Sequence, residues 1–153
     1  MTLLPEGGLL ALDWGQKKVG YATCDENATL VTPRGHFKRA KNSPAWKLTE
    51  YDRQQIKSLI NTWQPGGLVL GLPLGPEGKE TPASKKAQDL AKTLESTYSL
   101  AVELINESLT SWESRNTKDD DAAAAALLLS DLINQKHRSK RGFTKFLILS
   151  VLV

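Results

Sequence analysis

Cysteine, long apolar runs and a strong excess of either charge are all scarce in this sequence of 153 residues. The single cysteine, Cys24, excludes a disulfide scaffold and a zinc site built from cysteines. The apolar segment 146–153 is far shorter than the roughly 20 residues that span a bilayer, so no membrane partner is expected. The first residues, MTLLPEGGLL, lack the basic region of a signal peptide, which predicts a cytoplasmic location.

The net charge is only +3, because 20 lysine and arginine residues face 17 acidic ones, and this balance alone does not indicate a nucleic-acid partner. The basic residues nevertheless form two clusters along the chain. The first contains Lys17, Lys18, Arg34, Lys38, Arg39, Lys41 and Lys47, and the second contains Lys136, Arg138, Lys140, Arg141 and Lys145. Each cluster is typical either of a solvated face or of a phosphate-binding surface. If they bind nucleic acid, affinity should fall steeply with salt and depend on shape more than on sequence.

An apolar content of 40% over this length is enough for one domain with a buried core. Segments 9–13 and 19–24, separated by a polar turn, predict a β-hairpin, and residues 32–44 are expected to be mainly loop with at most one short strand. Apolar spacing then predicts helices at 49–63, 82–99 and 121–135, and strands at 68–72 and 101–105.

This order of elements predicts an α/β fold in which helices flank a mixed central sheet. We assign residues 1–135 to a single domain and residues 136–153 to a C-terminal tail that is first basic and then apolar.

Three acidic residues, Asp13, Glu107 and Asp121, occupy positions where a strand ends or a helix begins. Adjacent strand ends would bring their carboxylates together, and clustered carboxylates need a cation to stay ionised at neutral pH. Hard oxygen ligands of this kind suit Mg²⁺ or Mn²⁺. The alternative is that Asp13 caps a turn, Glu107 is a surface acid and Asp121 is a first-turn acid favoured by the helix dipole.

Four segments, taken together, carry a resemblance to a known family. They are LALDWGQKKVGYATCD at 10–25, VLGLPLGPEGKE at 69–80, VELINESLTS at 102–111 and DAAAAALLLSDLI at 121–133. In order and spacing they resemble the YqgF family, also called RuvX, over about 130 residues. The most specific features are an acid followed by x-G-x-K-x-x-G on a hairpin, and G-L-P-L with a later glycine.

The resemblance implies an RNase H-like fold and a relation to RuvC-type Holliday junction resolvases. It also implies a nuclease that matures the ribosomal RNA precursor at the 5′ end of the small-subunit rRNA. The implied partner is nucleic acid, either structured RNA or branched DNA, with ribosomal precursor particles as a further partner.

By position, the resemblance assigns Asp13, Glu107 and Asp121 to an acidic triad that holds two Mg²⁺ or Mn²⁺ ions for phosphodiester hydrolysis. The loop before the last helix is shorter here than in the family, so Asp119 or Asp120 is an alternative to Asp121.

Four further residues are candidates for binding nucleic acid. Lys17 and Lys18, on the hairpin after Asp13, either hold a backbone phosphate or are solvated turn lysines. Thr110 and Ser111 match the family's hydroxyl pair and either bind phosphate or cap the segment that follows.

The chain departs from the family where the usual D-E-R reads Asn106, Glu107 and Ser108. The missing acid and arginine leave open an alternative to the nuclease, a noncatalytic nucleic-acid-binding or ribosome-assembly factor that keeps the fold. A third function, an actin-like nucleotide phosphotransferase, shares the D-x-G hairpin but needs a second lobe for which this chain has no room.

Overall fold

The chain folds around one five-stranded sheet. The computed structural model describes residues 4–106 and 121–140, with the backbone alone at positions 76, 121 and 137–140. The strands are β1 (Leu9–Trp14), β2 (Lys18–Cys24), β3 (Val31–Lys38), β4 (Gly67–Leu72) and β5 (Ala101–Asn106). The helices are α1 (Glu50–Trp63), α2 (Pro82–Tyr98) and α3 (Asp121–Lys140), with a short 3₁₀ turn at Pro76–Gly78.

The strand order in the sheet is β3-β2-β1-β4-β5. β1, β2 and β3 form an antiparallel meander, whereas β1, β4 and β5 run parallel to one another. The predicted hairpin and mixed α/β sheet are therefore confirmed. Because β1, β4 and β5 are parallel, their carboxyl ends share one side of the sheet, which we call the carboxyl edge; the opposite side is the amino edge.

β3 is a full strand of eight residues in a segment that the sequence predicts to be mainly loop. Pro33 and Gly35 are residues that argue against a strand in the sequence. A proline is nevertheless tolerated in an edge strand, because the position of its missing N–H donor faces solvent. The pairing of β2 with β3 shifts register between Tyr21 and Ala22, and this irregularity accommodates Arg34 as an extra residue.

Local capping signals start both α1 and α2. Thr49 and Asp52 form a reciprocal capping box at the start of α1, and Thr81 and Ser84 form one at the start of α2. Pro82 occupies the first turn of α2, where a missing N–H costs nothing. The predicted helix starts are confirmed within one residue.

Helices cover both faces of the sheet. Leu10, Leu12 and Trp14 of β1 belong to the core layer that also contains residues of α1 and α2, whereas Leu9 and Ala11 pack in the layer with α3. β1 and β4 are buried along their whole length, as expected for central strands covered on both sides. Within the described ranges, no helix has the length and apolar character needed to cross a membrane.

The last helix extends past the boundary predicted at residue 135 and ends at Lys140. Lys136 is 2% exposed at its side chain, and its Nζ lies 3.3 Å from Oε1 of Glu103 on β5. The expectation that Lys136 belongs to a phosphate-binding cluster is therefore wrong, because its ammonium group is buried in an ion pair that fastens α3 to the sheet. The side chains of the remaining residues of that cluster lie outside the described part.

We expect Lys136→Met to destabilise the fold in a pH-dependent way. Burial raises the pKa of Glu103, and Lys136 opposes that rise. Without the lysine the pKa of Glu103 rises further. The loss of stability in the variant should therefore be small at a pH below the pKa of Glu103 in the unfolded chain, and it should grow as the pH rises through the pKa of Glu103 in the folded chain. At pH 7.5 we expect a loss of about 2 kcal/mol in urea unfolding, below the value of about 3–5 kcal/mol for fully buried pairs.

The matched control is the double variant Glu103→Gln/Lys136→Met, which carries no charge at either position. It should recover most of the stability at pH 7.5 and show no added pH dependence relative to the unmodified chain. An equal loss at pH 4.5 and pH 7.5 in the single variant would contradict the ion-pair interpretation.

The only cysteine should be chemically inert in the folded protein. Cys24 is 4% exposed, and burial raises the pKa of its thiol to about 11. Because the thiolate is the reactive form, a disulfide reagent such as DTNB at pH 8 should react only after urea unfolding. A stoichiometric reaction with the native protein within seconds would contradict this burial.

Candidate functional site

Asp13 is a buried carboxylate at the carboxyl edge, with 6% of its surface exposed. Side chains alternate along a strand, so Asp13 shares the α3 face of β1 with Leu9 and Ala11. Its partner on β2 is Gly20, and on β4 the pair Leu12–Leu70 is followed by Gly71. Because Gly20 has no side chain, no side chain of β2 lies directly opposite Asp13.

The backbone of Asp13 lies in β1 and not in the hairpin turn that follows it. Asp13 lies within the paired part of β1, and the strand continues to Trp14. The turn itself is closed by the Gly15 N–H, which donates to the Lys18 carbonyl at 3.0 Å.

The direction of α3 brings its start towards the same edge. Lys136, near the end of α3, contacts Glu103 early in β5 and lies close enough to Cys24 to lower its pKa. Cys24 pairs with Leu9, so this half of the helix lies towards the amino edge. The helix begins 15 residues before Lys136, which is about 22 Å along its axis, and we infer that its first turn lies towards the carboxyl edge.

Most of the other predicted site residues lie outside the described part of the chain. Glu107, Thr110 and Ser111, with the alternatives Asp119 and Asp120, are not described, and Asp121 is described by its backbone alone. Among the described side chains, no three His, Cys, Asp or Glu residues are grouped to hold a metal. The convergence of the acidic triad therefore stays a prediction, with Asp13 as the member whose side chain is described.

The guanidinium of Arg39 is not available to bind phosphate, so neither interpretation of the first basic cluster holds for this residue. Its side chain and that of Asp52 are both 0% exposed, and Nη2 of Arg39 lies 3.0 Å from Oδ2 of Asp52. The Nε group of Arg39 lies 3.3 Å from both carboxylate oxygens. The arginine therefore forms a buried ion pair with Asp52, which belongs to the capping box of α1.

The same guanidinium also holds two loops by their backbone. Its Nη1 group donates to the carbonyls of Gly15, Gln16 and Ala45 at 3.1–3.4 Å, and Nη2 donates to those of Pro44 and Lys47 at 3.0 and 2.8 Å. These carbonyls belong to the β1–β2 turn and to the segment between β3 and α1. Arg39 thus joins the turn, the segment and the start of α1 in one hydrogen-bonded unit.

Trp14 completes this unit from the adjacent end of β1. It is 6% exposed, its Nε1 donates to the Ala45 carbonyl at 2.8 Å, and the Arg39 guanidinium carbon lies 4.8 Å from its ring centroid. The indole is thus a packing partner of the arginine, with its polar atom satisfied.

A basic cavity of about 540 Å³ opens beside this unit. Residues 16–18 of the turn and residues 38–43 line it, and we call it the lysine pocket after Lys17, Lys18, Lys38 and Lys41. None of the described residues that line it is acidic. Lys17 is exposed in the turn and Lys18 is partly exposed as the first residue of β2, so both predicted candidates lie on this pocket.

The sequence contained a signal for the burial of Arg39 that the charge clusters obscured. Phe37 is buried, and a strand alternation of two residues puts Arg39 on the same inward face. The pocket had no comparable signal, because it depends on which residues β2 and β3 bring opposite one another.

Asp52→Asn should be severely destabilising. The amide can still accept the Thr49 N–H hydrogen bond, so the variant removes mainly the charge that balances buried Arg39. Breaking a buried pair from one side typically costs about 3–5 kcal/mol, which is a large share of the stability of one domain. We expect a loss of about 3 kcal/mol in urea unfolding at pH 7.5.

Asp89→Asn is the matched control, because Asp89 is exposed on α2 and the chemical change is the same. It should shift stability by less than about 0.5 kcal/mol. Equal effects of the two substitutions would show that the Arg39–Asp52 pair does not hold this edge.

Comparisons with known proteins agree with this architecture. A protein of Ralstonia nicotianae named "Putative pre-16S rRNA nuclease" is 33% identical over 140 residues, which is 86% of this chain and 89% of the relative. A protein of the same name from Pectobacterium carotovorum is 33% identical over 107 residues, covering 70% and 72% of the two chains.

Among solved structures, RuvC of Thermus thermophilus in complex with a Holliday junction substrate superposes with a TM-score of 0.55 at 10% identity, over 86% of this chain and 96% of RuvC. This likeness confirms the predicted RNase H-like fold. The family model described as "RuvX: Holliday junction resolvase" matches residues 7–135. With most of its length matched, the chain belongs to the RuvX family.

Proposed function

We propose that this protein is a metal-dependent nuclease that hydrolyses a phosphodiester bond in the 16S ribosomal RNA precursor or in branched DNA. The observation that carries the proposal is the buried Asp13 carboxylate at the carboxyl edge, with Gly20 as its cross-strand partner. The names of the relatives support the RNA precursor, and the family description supports branched DNA.

The proposed ligands of the metal are Asp13, Glu107 and Asp121. Glu107 follows directly on Asn106, the last residue of β5, and Asp121 is the first residue of α3. β5 is separated from β1 by a single strand, and the direction of α3 favours a start near the same edge. Three carboxylates in this arrangement suit a hard divalent cation, so the donor set fits Mg²⁺ or Mn²⁺.

When bound, two such ions supply an activated water and neutralise charge on the leaving oxygen of the phosphodiester. The contribution of the chain is to fix the carboxylates and to place the phosphate. Asp13 is fixed because β1 is hydrogen-bonded on both sides, by β2 and by β4. Lys17 and Lys18 attract the backbone from the neighbouring turn, and Thr110 and Ser111 are proposed to add hydroxyl contacts.

Binding without cleavage is the second candidate function. Asn106 ends β5 in an exposed position where the family carries an acid, and Ser108 replaces the family's arginine. A protein that lost these charged groups would keep the fold and the lysines but bind nucleic acid as an assembly factor.

Asp13→Asn should abolish cleavage and preserve binding. The amide keeps the shape of the carboxylate but removes the charge that attracts a divalent cation. Cleavage of a four-way DNA junction and of a 16S precursor RNA with Mg²⁺ or Mn²⁺ should fall more than about 100-fold, since loss of outer-shell partners alone costs about 10- to 100-fold. Affinity in EDTA should stay equal or rise slightly, because one acid fewer faces the phosphates.

Asp89→Asn serves as the control here too and should cleave like the unmodified chain. Metal-dependent cleavage that persists in Asp13→Asn would overturn the site assignment. If the unmodified chain binds both substrates but cleaves neither, the binding function is the correct one. The variant Asn106→Asp/Ser108→Arg, which restores the family pattern, then tests whether those two changes removed the activity.

A further inference from the structure

Arg34 lies apart from the lysine pocket, because its side chain points towards the amino edge of the sheet. It is the extra residue at the register shift between β2 and β3, and its side chain is exposed. A bulge of this kind turns a side chain out of the regular alternation of the strand. The side chain of Arg34 reaches Thr23, near the end of β2, and Trp63, the last residue of α1.

The guanidinium of Arg34 is held in one orientation and still has donors to offer. Its Nε donates to the Thr23 hydroxyl oxygen at 3.0 Å, and its central carbon lies 4.0 Å from the centroid of the Trp63 ring. Among the described residues, none accepts a hydrogen bond from Nη1 or Nη2, and no carboxylate forms an ion pair with this arginine. An arginine fixed in this way presents the planar fork of N–H groups that suits a carboxylate.

A cavity of about 190 Å³, which we call the amino-edge cavity, lies beside this guanidinium. Half of its lining is apolar, from Leu9, Cys24, Leu30, Trp63 and Pro65. Leu30 is 65% exposed, and within the described ranges only Tyr51 is a second large apolar residue with an exposed side chain. The volume is below the range of about 300–1,000 Å³ for pockets of drug-sized ligands, so the cavity has room for one or two side chains.

We propose that the amino-edge cavity is a docking site for a protein partner that inserts a glutamate or aspartate side chain together with a neighbouring apolar side chain. The carboxylate accepts hydrogen bonds from Nη1 and Nη2 of Arg34, and the apolar side chain packs on Leu30 and Trp63. Arginine and tryptophan are among the residue types most enriched at the centres of protein interfaces. This inference does not depend on the nuclease proposal, because it concerns the edge of the sheet opposite Asp13.

The charges of the cavity favour a single carboxylate over nucleic acid as the ligand. Asp25 also lines the cavity, and hydrogen bonds from the Thr29 hydroxyl and from the Leu30 and Thr29 N–H groups lower the pKa of its carboxyl. With Asp25 ionised, the net charge of the lining is zero. A polyanion needs an extended positive surface, whereas one carboxylate gains from direct contact with a guanidinium.

The alternative is that Arg34 only stabilises the end of α1. A cation stacked on Trp63 near the C-terminus of a helix is favourable in itself. That role uses neither the Nη groups nor the exposed leucine beside them. Arg34→Lys separates the two roles, because lysine keeps a positive charge near the helix end but has no planar fork of donors.

The test is an NMR titration of the full chain that follows the Trp63 indole N–H and the Leu30 amide signals. The two probes are N-acetyl-Leu-Glu-amide and N-acetyl-Leu-Gln-amide, which differ only in the carboxylate. The variants are Arg34→Gln and Arg34→Lys. Arg53→Gln is the matched control, because Arg53 is an exposed arginine of α1 that lies about 15 Å from Trp63 along the helix axis.

The glutamyl probe should shift both signals in a saturable way, with a dissociation constant of roughly 1 mM, and the glutaminyl probe should bind about tenfold more weakly. Arg34→Gln and Arg34→Lys should each lose about tenfold in affinity for the glutamyl probe, whereas Arg53→Gln should stay within about twofold of the unmodified chain. Equal binding of the two probes, no saturable shift, or full affinity in either Arg34 variant would overturn the docking site.

Leu30→Ser tests the apolar half of the site and leaves the contact between Arg34 and Trp63 in place. Because Leu30 is exposed, its urea unfolding midpoint should match that of the unmodified chain, and the glutamyl probe should bind several-fold more weakly. Unchanged affinity in Leu30→Ser would contradict the proposed apolar contact. The same unfolding measurement confirms that the Arg34 variants are folded.

Two further measurements test the other occupants of this surface. A four-way DNA junction and a 16S precursor RNA, titrated in EDTA, should bind Arg34→Gln and Arg53→Gln equally. A selective loss in Arg34→Gln would assign Arg34 to nucleic acid instead. A shift of the Trp63 signal on dilution of the protein alone would show that a second copy covers the cavity. Either result would overturn the proposal of a protein partner.

Discussion

The structure of the carboxyl edge depends on the interactions of the buried Arg39 guanidinium. A charge without water is tolerated only where partners surround it, and Arg39 has the Asp52 carboxylate together with five backbone carbonyls. These partners come from the β1–β2 turn, the segment before α1 and the first turn of α1. Movement of any of these three segments would take hydrogen-bond partners away from the buried charge. The end of β1 and the backbone that carries the pocket lysines therefore keep fixed positions relative to each other.

Most of the fold could be predicted because its signals are local. The capping pair Thr49–Asp52 marks a helix start within four residues of sequence, and a run such as 68–72 marks a strand buried on both faces. β3 gave no such signal, since its pairing with β2 is what makes it a strand and Pro33 argues locally against it. The extension of α3 past residue 135 likewise places Lys136 against a distant partner, the Glu103 carboxylate on β5.

The candidate site likewise contains some residues whose position has a local signal in the sequence and others whose position depends on distant partners. Asp13 was predictable because an acid at the end of an apolar strand is visible in the sequence, and its place at the carboxyl edge followed once β1 proved parallel to β4. The roles of the basic residues were not predictable from charge counts. Arg39 and Lys136 are interior ion-pair partners, whereas Lys38 and Lys41 line a pocket next to the point where Lys18 and Lys38 pair.

The distribution of neutralised charge explains how an acidic centre can meet a polyanion. Towards the amino edge Lys136 is paired with Glu103, and the Asp25 carboxylate accepts hydrogen bonds from Thr29 and Leu30. Lys136 adds little to the field outside the protein because Glu103 compensates it, whereas Asp25 keeps its negative charge, since its hydrogen-bond donors are neutral. Lys17, Lys38 and Lys41 line the pocket beside the β1–β2 turn, and none of its described lining residues is acidic. Under the proposed function, a carboxylate site that repels phosphate by itself therefore depends on the basic residues of the turn beside it.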